Sequence, residues 1–363
     1  MFDMTRIKDV KIYKATSQIS RAIADATHNI SEISFYIVEL ITNKDIKGQG
    51  YLLSFHYSPK AIEGALKDLK AFMLERQYHI YETVKMKQNY EIETEYFGNI
   101  GLQRWAAATF NVAMWDAWGH ELNQPIWKII GGSNTKIPVY GSGGWLSYTD
   151  EELLNEVLDY KQRGFKAVKI KVGSKDIERD IQRISKVREA VGTNVKIMMD
   201  ANQGMDIPSA IKLSRWATDM GIHWFEEPIA HDDFAGYEII RNKTSVALAM
   251  GEREYDCTAL KELIRRNAID LWQPDIIRIG GVEEWRNSAA LAILNNIPVL
   301  PHYYKDYDVP LLATISNAYG AESFDWIDEI IDNRMIIENG YAYLRGGNGW
   351  GFKFKEEFLN EVK

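Results

Sequence analysis

The sequence predicts a parallel (β/α) barrel that is preceded by an α+β domain. Beyond Gly132, short apolar segments alternate with helical segments, and eight of the apolar segments read as buried strands. An ionisable residue stands near the end of each of the last seven, at intervals of 20 to 29 residues from Lys171 onwards. Intervals of this size suit one strand and one crossover helix each.

Length, composition and charge exclude several classes of protein. The 363 residues suffice for about two domains of roughly 150 residues each. A net charge of −8 and the absence of a basic stripe argue against a nucleic-acid partner. The one cysteine, Cys257, cannot form an internal disulfide, which suits a reducing compartment. No signal peptide and no apolar run of about 18 residues is evident, so we expect a cytoplasmic protein without a membrane partner.

The first part of the chain reads as strands followed by helices. Three segments alternate like strands and predict an antiparallel meander: 6–15, 33–42 and 48–55. The pattern becomes helical from Pro59, and residues 104–122 form the clearest helix. We assign residues 1–134 to this domain.

The barrel is expected over residues 135–327. Its strand candidates are 137–143, 166–172, 195–202, 222–228, 246–252, 268–275, 296–302 and 318–326. Helices are expected from Thr149, Lys175 and Ile207. The tail, residues 328–363, is rich in glycine and aromatic residues, and we expect it to complete the first domain.

The segment KAVKIKVG at 166–173 places two lysines on an apolar strand. Side chains alternate along a strand, so Lys169 and Lys171 point to the same side. Two adjacent like charges cost free energy unless the site requires them. The pair therefore indicates function.

Three carboxylates follow on adjacent strands: Asp200, Glu226 and Glu252. Side chains at the carboxyl ends of barrel strands converge on one rim, where these charges would repel one another. A hard divalent cation removes that repulsion, and oxygen ligands with open positions suit Mg²⁺. We therefore predict a magnesium site.

Acid–base groups flank this predicted site. A carboxylate substrate bound to Mg²⁺ becomes acidic at its α-carbon. Lys171 is a candidate base, and we expect Lys169 and the metal to lower its pKa. His302 and Asp275 form a second acid–base pair. Glu322, if protonated, can donate a hydrogen bond to the substrate carboxylate.

The ordered motifs resemble those of the enolase superfamily, and within it the mandelate racemase subgroup. They are KIK at 169–171, DAN at 200–202, EEP at 226–228, GE at 251–252, Asp275, His302 and Glu322. The resemblance implies a modified TIM barrel, (β/α)7β, with an α+β capping domain formed by the N-terminal part and the C-terminal tail.

Residue roles follow from the resemblance position by position. Asp200, Glu226 and Glu252 are implied metal ligands. The implied acid–base catalysts are Lys171 and His302, the latter oriented by Asp275. Lys169 and Glu322 are implied contacts of the substrate carboxylate, and Asn202 is implied to support the site. A homo-oligomer is implied by the same analogy.

The same resemblance implies the reaction. After Asp275 the sequence offers Arg278 where the muconate-lactonising branch has a lysine, which disfavours that branch. The implied activity is dehydration of an acid sugar, an aldonate or an aldarate, to a 2-keto-3-deoxy acid, as in galactarate/talarate-type dehydratases. The alternative is a 2-hydroxy-acid racemase or epimerase that uses the same residues.

Specificity is expected from two capping-domain segments, near residues 18–30 and 51–57. The first carries polar residues, of which Arg21 and His28 are predicted substrate contacts. Such a polar lid suits a polyol better than a phenyl ring. Four residues after His302 are also expected to line the pocket: Tyr303, Tyr304, Lys305 and Asp306.

Overall fold

The computed structural model describes residues 5–363. The strands are β1 (Ile7–Ser17), β2 (Ile23–Ala24), β3 (Asn29–Ile30), β4 (Ile33–Thr42), β5 (Lys47–Leu53), β6 (Lys136–Gly143), β7 (Ala167–Lys171), β8 (Lys196–Asp200), β9 (Trp224–Glu226), β10 (Ala247–Met250), β11 (Leu271–Trp272), β12 (Ala321–Ser323), β13 (Ile337–Glu338), β14 (Tyr341–Tyr343) and β15 (Asn360–Glu361). The helices are α1 (Pro59–Arg76), α2 (Thr83–Thr94), α3 (Leu102–Leu122), α4 (Ile126–Ile129), α5 (Asp150–Gln162), α6 (Ile177–Val191), α7 (Ile207–Asp219), α8 (Phe234–Lys243), α9 (Cys257–Arg265), α10 (Ile276–Ile279), α11 (Val282–Leu294) and α12 (Lys305–Leu312).

The N-terminal part contains an antiparallel sheet in the order β15–β1–β4–β5. Its three long strands and the helix α3 begin and end within two residues of the predicted segments. Helix α3 packs on β5 at very short range. A Cβ at Gly50 would lie 2.3 Å from the backbone oxygen of Thr109, so only glycine permits this approach.

The barrel strands are parallel and pair in chain order from β6 to β11. Strand β12 pairs with β6, and single bridges at Val299 connect β11 to the segment before β12. The predicted seventh strand, residues 296–302, is thus reduced to isolated bridges. The reason is chemical, because Pro298 and Pro301 have no N–H to donate to a ladder. The predicted α/β barrel fold is otherwise confirmed.

Most barrel helices begin at a polar cap that directly follows a strand or loop. Thr149 and Glu152 form a reciprocal capping box at the start of α5. Asp176, Asp206 and Asp256 each accept a hydrogen bond from a backbone N–H in the first turn of their helix. These caps fix where each helix turns back, and so hold the strand ends at one rim.

The C-terminal tail contacts both parts of the chain. Strand β14 pairs with β6 in the barrel, whereas β15 pairs with β1 in the capping sheet. Backbone N–H of Trp350 also donates to Asp116 on α3, at 2.9 Å. These contacts support our proposed division into residues 1–134, completed by 328–363, and a barrel over 135–327.

None of the helices within residues 5–363 combines the length and the apolar character that crossing a membrane requires.

Candidate active site

Strand register brings the predicted site residues together at the carboxyl-terminal rim of the barrel. Lys171 is the register partner of Asp200, and Asp200 is the partner of Glu226. Glu226 lies opposite Ala249, three residues before Glu252. Neighbouring parallel strands therefore present these side chains side by side.

The three predicted metal ligands form one buried cluster. Asp200, Glu226 and Glu252 each offer a carboxylate oxygen, and these oxygens all lie within 4.8 Å of one another. Their side chains are almost fully buried. Three hard carboxylates at this spacing fit the donor chemistry of Mg²⁺.

Two lysine ammonium groups balance the charge of this cluster. Lys169 Nζ lies 2.6 Å from Glu226 Oε1 and 2.7 Å from Glu322 Oε1. Lys171 Nζ lies 2.6 Å from Asp200 Oδ2. Both ammonium groups are buried, and each is paired with a carboxylate, so the cost of burying two like charges is offset by these contacts.

The carboxylates around Lys171 act against the fall in its pKa that Lys169 and a bound metal are expected to cause. Burial, the largest influence, lowers this pKa and Lys169 repels the charge, but Asp200, Asp25 and Glu226 together outweigh both, so the pKa of Lys171 is raised. The pKa of Lys169 is raised too, because Glu226 and Glu322 outweigh burial. The sequence shows that the lysines are adjacent, but it does not give the 2.6 Å ion pair.

Glu226 is held by residues that the sequence analysis did not single out. Gln273 Nε2 donates to Glu226 Oε2 at 2.7 Å, and Trp224 Nε1 donates to the same oxygen at 3.3 Å. Burial raises the pKa of Glu226, with Lys169 opposing the rise. Gln273 stands two residues before Asp275. Because side chains alternate along a strand, this spacing was the signal in the sequence that Gln273 points to the same side as Asp275.

His302 is oriented as predicted. Its Nδ1 lies 2.9 Å from Asp275 Oδ2, and its Nε2 lies 3.4 Å from Glu252 Oε2. The other oxygen of Asp275 accepts hydrogen bonds from the backbone N–H groups of Ile277 and Arg278. Burial lowers the pKa of His302, but Glu252 and Asp275 outweigh it and raise the pKa to about 9.

Two cations, Lys169 and His302, act on the carboxyl group of Glu322. Burial raises its pKa, but Lys169 and His302 outweigh burial and lower the pKa to about 2. Its second oxygen accepts a hydrogen bond from the backbone N–H of Tyr303 at 2.9 Å. Tyr303 has a φ of 63°, a strained value for a bulky residue, and this conformation accompanies the contact with Glu322. The lowered pKa disfavours the protonated form in which Glu322 could donate a hydrogen bond to the substrate carboxylate.

Arg253 lies between two buried carboxylates. Its Nε donates to Glu227 Oε2 at 3.0 Å, and its terminal nitrogen lies 3.4 Å from Glu252 Oε1. Glu227 thus supports the site through Arg253.

A cavity of about 370 Å³ opens above the rim. The predicted residues that line it are Lys171, Asn202, Glu252, Asp275, His302, Glu322, His28, Tyr303 and Tyr304. Much of the remaining wall is aromatic, formed by Phe55, Tyr57, Trp105, Trp145, Phe324 and Trp326. The polar lid that the sequence predicted is therefore one side of a largely aromatic chamber.

The segment around residues 18–30 closes over the rim. Thr27 Oγ1 donates to the backbone oxygen of Asn202 at 3.1 Å, and Leu146 N donates to Ala24 O at 2.8 Å. His28 lines the cavity beside Asp25, with 3.2 Å between their side chains. Asn202 also lines it, and its buried Oδ1 has no partner within residues 5–363.

Four of the residues predicted to contact the substrate or line the pocket are not part of the cavity wall. Lys169 is buried between Glu226 and Glu322. Arg21 is not part of the cavity wall; it pairs with Glu152 at 2.7 Å and donates to the Ser147 carbonyl. Lys305 and Asp306 are buried beneath the wall in ion pairs with Asp328 and Arg345 respectively. The expectation that Lys305 and Asp306 line the pocket is therefore corrected, because their charges are held by the C-terminal part.

Comparisons with known proteins cover nearly the whole chain. The model of the mandelate racemase / muconate lactonizing enzyme N-terminal domain matches residues 7–131, and that of the enolase C-terminal domain-like family matches residues 152–358. Arabinonate dehydratase of Saccharolobus solfataricus is 29% identical, with 98% of this chain and 99% of the relative covered.

L-talarate/galactarate dehydratase of Salmonella typhimurium is 25% identical over 97% of this chain and 90% of the relative. Its crystal structure with Mg and L-lyxarohydroxamate superposes with a TM-score of 0.92, covering 99% of this chain and 94% of that one at 24% identity. A racemase from Streptomyces coelicolor A3(2) with bound magnesium gives a TM-score of 0.93 at 25% identity, covering 98% and 100%.

Proposed function

The chain belongs to the mandelate racemase / muconate lactonizing enzyme family of the enolase superfamily, and from this premise we propose that it is a Mg²⁺-dependent acid-sugar dehydratase. One observation carries the proposal. The two acid–base groups are Lys171 and His302, and their strand positions are not neighbours. Both residues line the same cavity beside the buried carboxylate cluster. Elimination needs one group that accepts a proton and one that donates it.

The carboxylate cluster fits the metal. Asp200, Glu226 and Glu252 would hold Mg²⁺, which supplies electrostatic stabilisation for negative charge on a substrate carboxylate. Lys169, fixed between Glu226 and Glu322, places a second positive charge at the same end of the cavity. This arrangement favours a substrate whose carboxylate carries increasing charge as its α-proton leaves.

The acid–base steps belong to Lys171 and His302. One of them removes the α-proton, and the other, most simply His302, protonates the leaving β-hydroxyl. Asp275 supports that role because it stabilises the imidazolium form through the 2.9 Å contact to Nδ1. The enol product then tautomerises to a 2-keto-3-deoxy acid. Glu322 and Asn202 are proposed to contact the substrate near its reacting end, and His28 near the lid.

The test is proton NMR of the protein in D₂O with Mg²⁺ and a panel of mono- and dicarboxylic sugar acids. New methylene signals of a 3-deoxy product, abolished by EDTA, are expected. Turnover that persists after complete chelation would contradict the metal dependence. Silence across the panel would overturn the proposed activity.

The second candidate is a racemase or epimerase of 2-hydroxy acids. It is favoured by the same pair of acid–base groups, since two bases can exchange one proton on opposite faces of a carbon. The similarity to the Streptomyces racemase supports it as well. In the NMR experiment it predicts loss of the α-proton signal without elimination.

We also propose a cytoplasmic location and a homo-oligomeric assembly. Size-exclusion chromatography with light scattering tests the assembly, and a mass equal to that of one chain would contradict it.

A further inference from the structure

One cationic side chain of the cavity has no carboxylate partner. Among residues 5–363, Arg278, which lines the cavity, forms no ion pair within 4.0 Å, and Glu252 feels its charge only from beyond that distance. The other cationic or titratable basic groups of the wall are paired: Lys171 with Asp200, Arg253 with Glu227, His302 with Asp275 and His28 with Asp25.

Arg278 is held in place without using its charge. Its backbone N–H donates to Asp275 Oδ1 at 3.0 Å, which anchors the residue one helical turn beyond the acid–base pair. Its guanidinium carbon lies 5.1 Å from the centre of the Trp105 ring, and Trp105 also lines the cavity. Contact with an aromatic face leaves the in-plane N–H donors of a guanidinium free for another partner.

The surroundings favour an anion as that partner. The side chain is half-buried and the adjacent wall contains Leu102, Trp105 and Ile277, so water solvates the charge incompletely. A guanidinium presents donors in a fixed fork that matches the two oxygens of a carboxylate. A neutral hydroxyl would use only part of that fork and would leave the guanidinium without an ion-pair partner.

We propose that Arg278 binds a second carboxylate of the substrate, which makes the substrate class dicarboxylic sugar acids rather than monocarboxylic ones. The inference rests on the proposed function. The proposed function places the first carboxylate at the metal end near Lys169, whose charge is already shared by Glu226 and Glu322. A second carboxylate in this aromatic chamber needs its own cation, and Arg278 is the unpaired one among the described residues of the wall.

The test compares matched pairs of substrates that differ only at the far carbon, such as galactarate with galactonate and glucarate with gluconate. The wild-type protein is expected to show the higher kcat/KM for the dicarboxylic member. Arg278→Met is expected to lower kcat/KM for the dicarboxylic acid by about 10- to 100-fold, with less than about a threefold change for the monocarboxylic acid. Arg278→Lys keeps the charge but loses the fork. Its kcat/KM for the dicarboxylic acid is expected to lie between those of the wild-type protein and Arg278→Met.

Arg104→Met is the matched control. Arg104 flanks the same Trp105 and reaches the carbonyl of Ile279, but it pairs with Glu91 at 3.2 Å and is not part of the cavity wall. Its loss is expected to leave the preference between paired substrates unchanged. Thermal unfolding of each variant with Mg²⁺ reports whether it has folded.

The outcomes separate the two proposals. Dehydration of the monocarboxylic acids at equal or higher kcat/KM by the wild-type protein would overturn the role of Arg278 and leave the dehydratase intact. If Arg278→Met lowered kcat/KM equally for both members of a pair, that result would also overturn the role of Arg278 and leave the dehydratase intact. No dehydration of any acid would overturn the proposed function itself. Because the wild-type comparison needs no variant, a failure of Arg278→Met to fold does not remove the test.

Discussion

At the scale of single residues, the site is a set of buried charges that compensate one another. Lys169 and Lys171 contact carboxylates within 2.7 Å, and His302 contacts Asp275 and Glu252. Burial alone would favour the neutral form of every member. The raised pKa values of both lysines and of His302 show that pairing outweighs burial for the basic groups.

Replacing Lys171 should separate catalysis from metal binding. In Lys171→Met we expect activity to fall by at least about 10³-fold, because the site loses one of its two acid–base groups. Mg²⁺ affinity should be equal or higher, because the ammonium that competes for Asp200 is removed. Steady-state kinetics and calorimetric titration with Mg²⁺ measure the two effects.

The exposed Lys175, four residues further along, provides the control for that experiment. Lys175→Met is expected to retain activity. Weaker Mg²⁺ binding by Lys171→Met, or near-normal turnover, would contradict the assignment.

His223 gives a pH dependence of stability at the opposite end of the barrel. It lies just before β9, with its ring beside Tyr319 and 3.3 Å from Lys196 Nζ. Burial, followed by the charge of Lys196, lowers its pKa to about 4. The unfolded chain, with a His pKa of about 6.5, therefore binds more protons between about pH 4 and 6.5. Stability is complete above about pH 6.5 and is lost as the pH falls through this window.

The expected loss is about 1 kcal/mol, since solvent screens this half-exposed ring. Urea unfolding at about pH 7 and pH 4.5 should show that His223→Gln loses less stability on acidification than the wild-type protein does. Identical pH dependence in both proteins would show that His223 is not responsible.

At the scale of elements, close packing of α3 on β5 holds the capping domain together. A Cβ at Gly50 would lie 2.3 Å from Thr109 O and 2.7 Å from Val112 Cγ2. The backbone of a long helix cannot shift cheaply away from a sheet strand. Tyr304, two residues after His302, adds a contact between the barrel and β5. Its Oη accepts a hydrogen bond from Leu53 N at 2.9 Å.

Two glycine substitutions should therefore have opposite effects on stability. Gly50→Ala is expected to destabilise the protein by about 1–3 kcal/mol through overpacking. Gly64→Ala, within α1 and with open space around its Cβ, is expected to stabilise by up to about 1 kcal/mol because alanine favours helix. Urea unfolding measures both, and a neutral or stabilising Gly50→Ala would contradict the packing argument.

At the scale of the whole molecule, the site joins the barrel to the capping domain. The lid contacts the barrel through Thr27 and Ala24, and the cavity takes residues from both parts. Arg21 lies on the outer side of this junction, where it pairs with Glu152, so its predicted role as a substrate contact stays a prediction outside the proposed site.

Mg²⁺ should stabilise the folded protein as a whole. Binding to the native cluster but not to the unfolded chain adds about 2.7 kcal/mol at a hundredfold excess over Kd, which raises the Tm by several degrees. EDTA should reverse the rise. Glu252→Gln, which keeps the side-chain shape, should lose most of it in the same thermal-unfolding assay. An equal rise in that variant would place the metal elsewhere.

The order of residues was sufficient to predict the barrel, the order of its strands and the residues at their ends. It could do so because apolar runs, polar caps and strand alternation are local, and parallel strands deliver their last residues to one rim. Asp200, Glu226 and Glu252 could therefore be assigned to one cluster before any distance was known. Only the prolines at 298 and 301 disrupted a predicted strand, and their missing N–H groups were visible in the sequence.

Which groups pair across the site depends on the three-dimensional fold. The contact of Lys171 with Asp200, the hydrogen bond from Gln273 to Glu226 and the contact of Lys169 with Glu322 each join residues far apart in the chain. The aromatic wall and the unpaired Arg278 likewise depend on where loops from different strands meet. The energy of charge compensation in a buried site changes over a few ångströms. Such distances are set by strand register and by the paths of loops, which cannot be read from the order of residues.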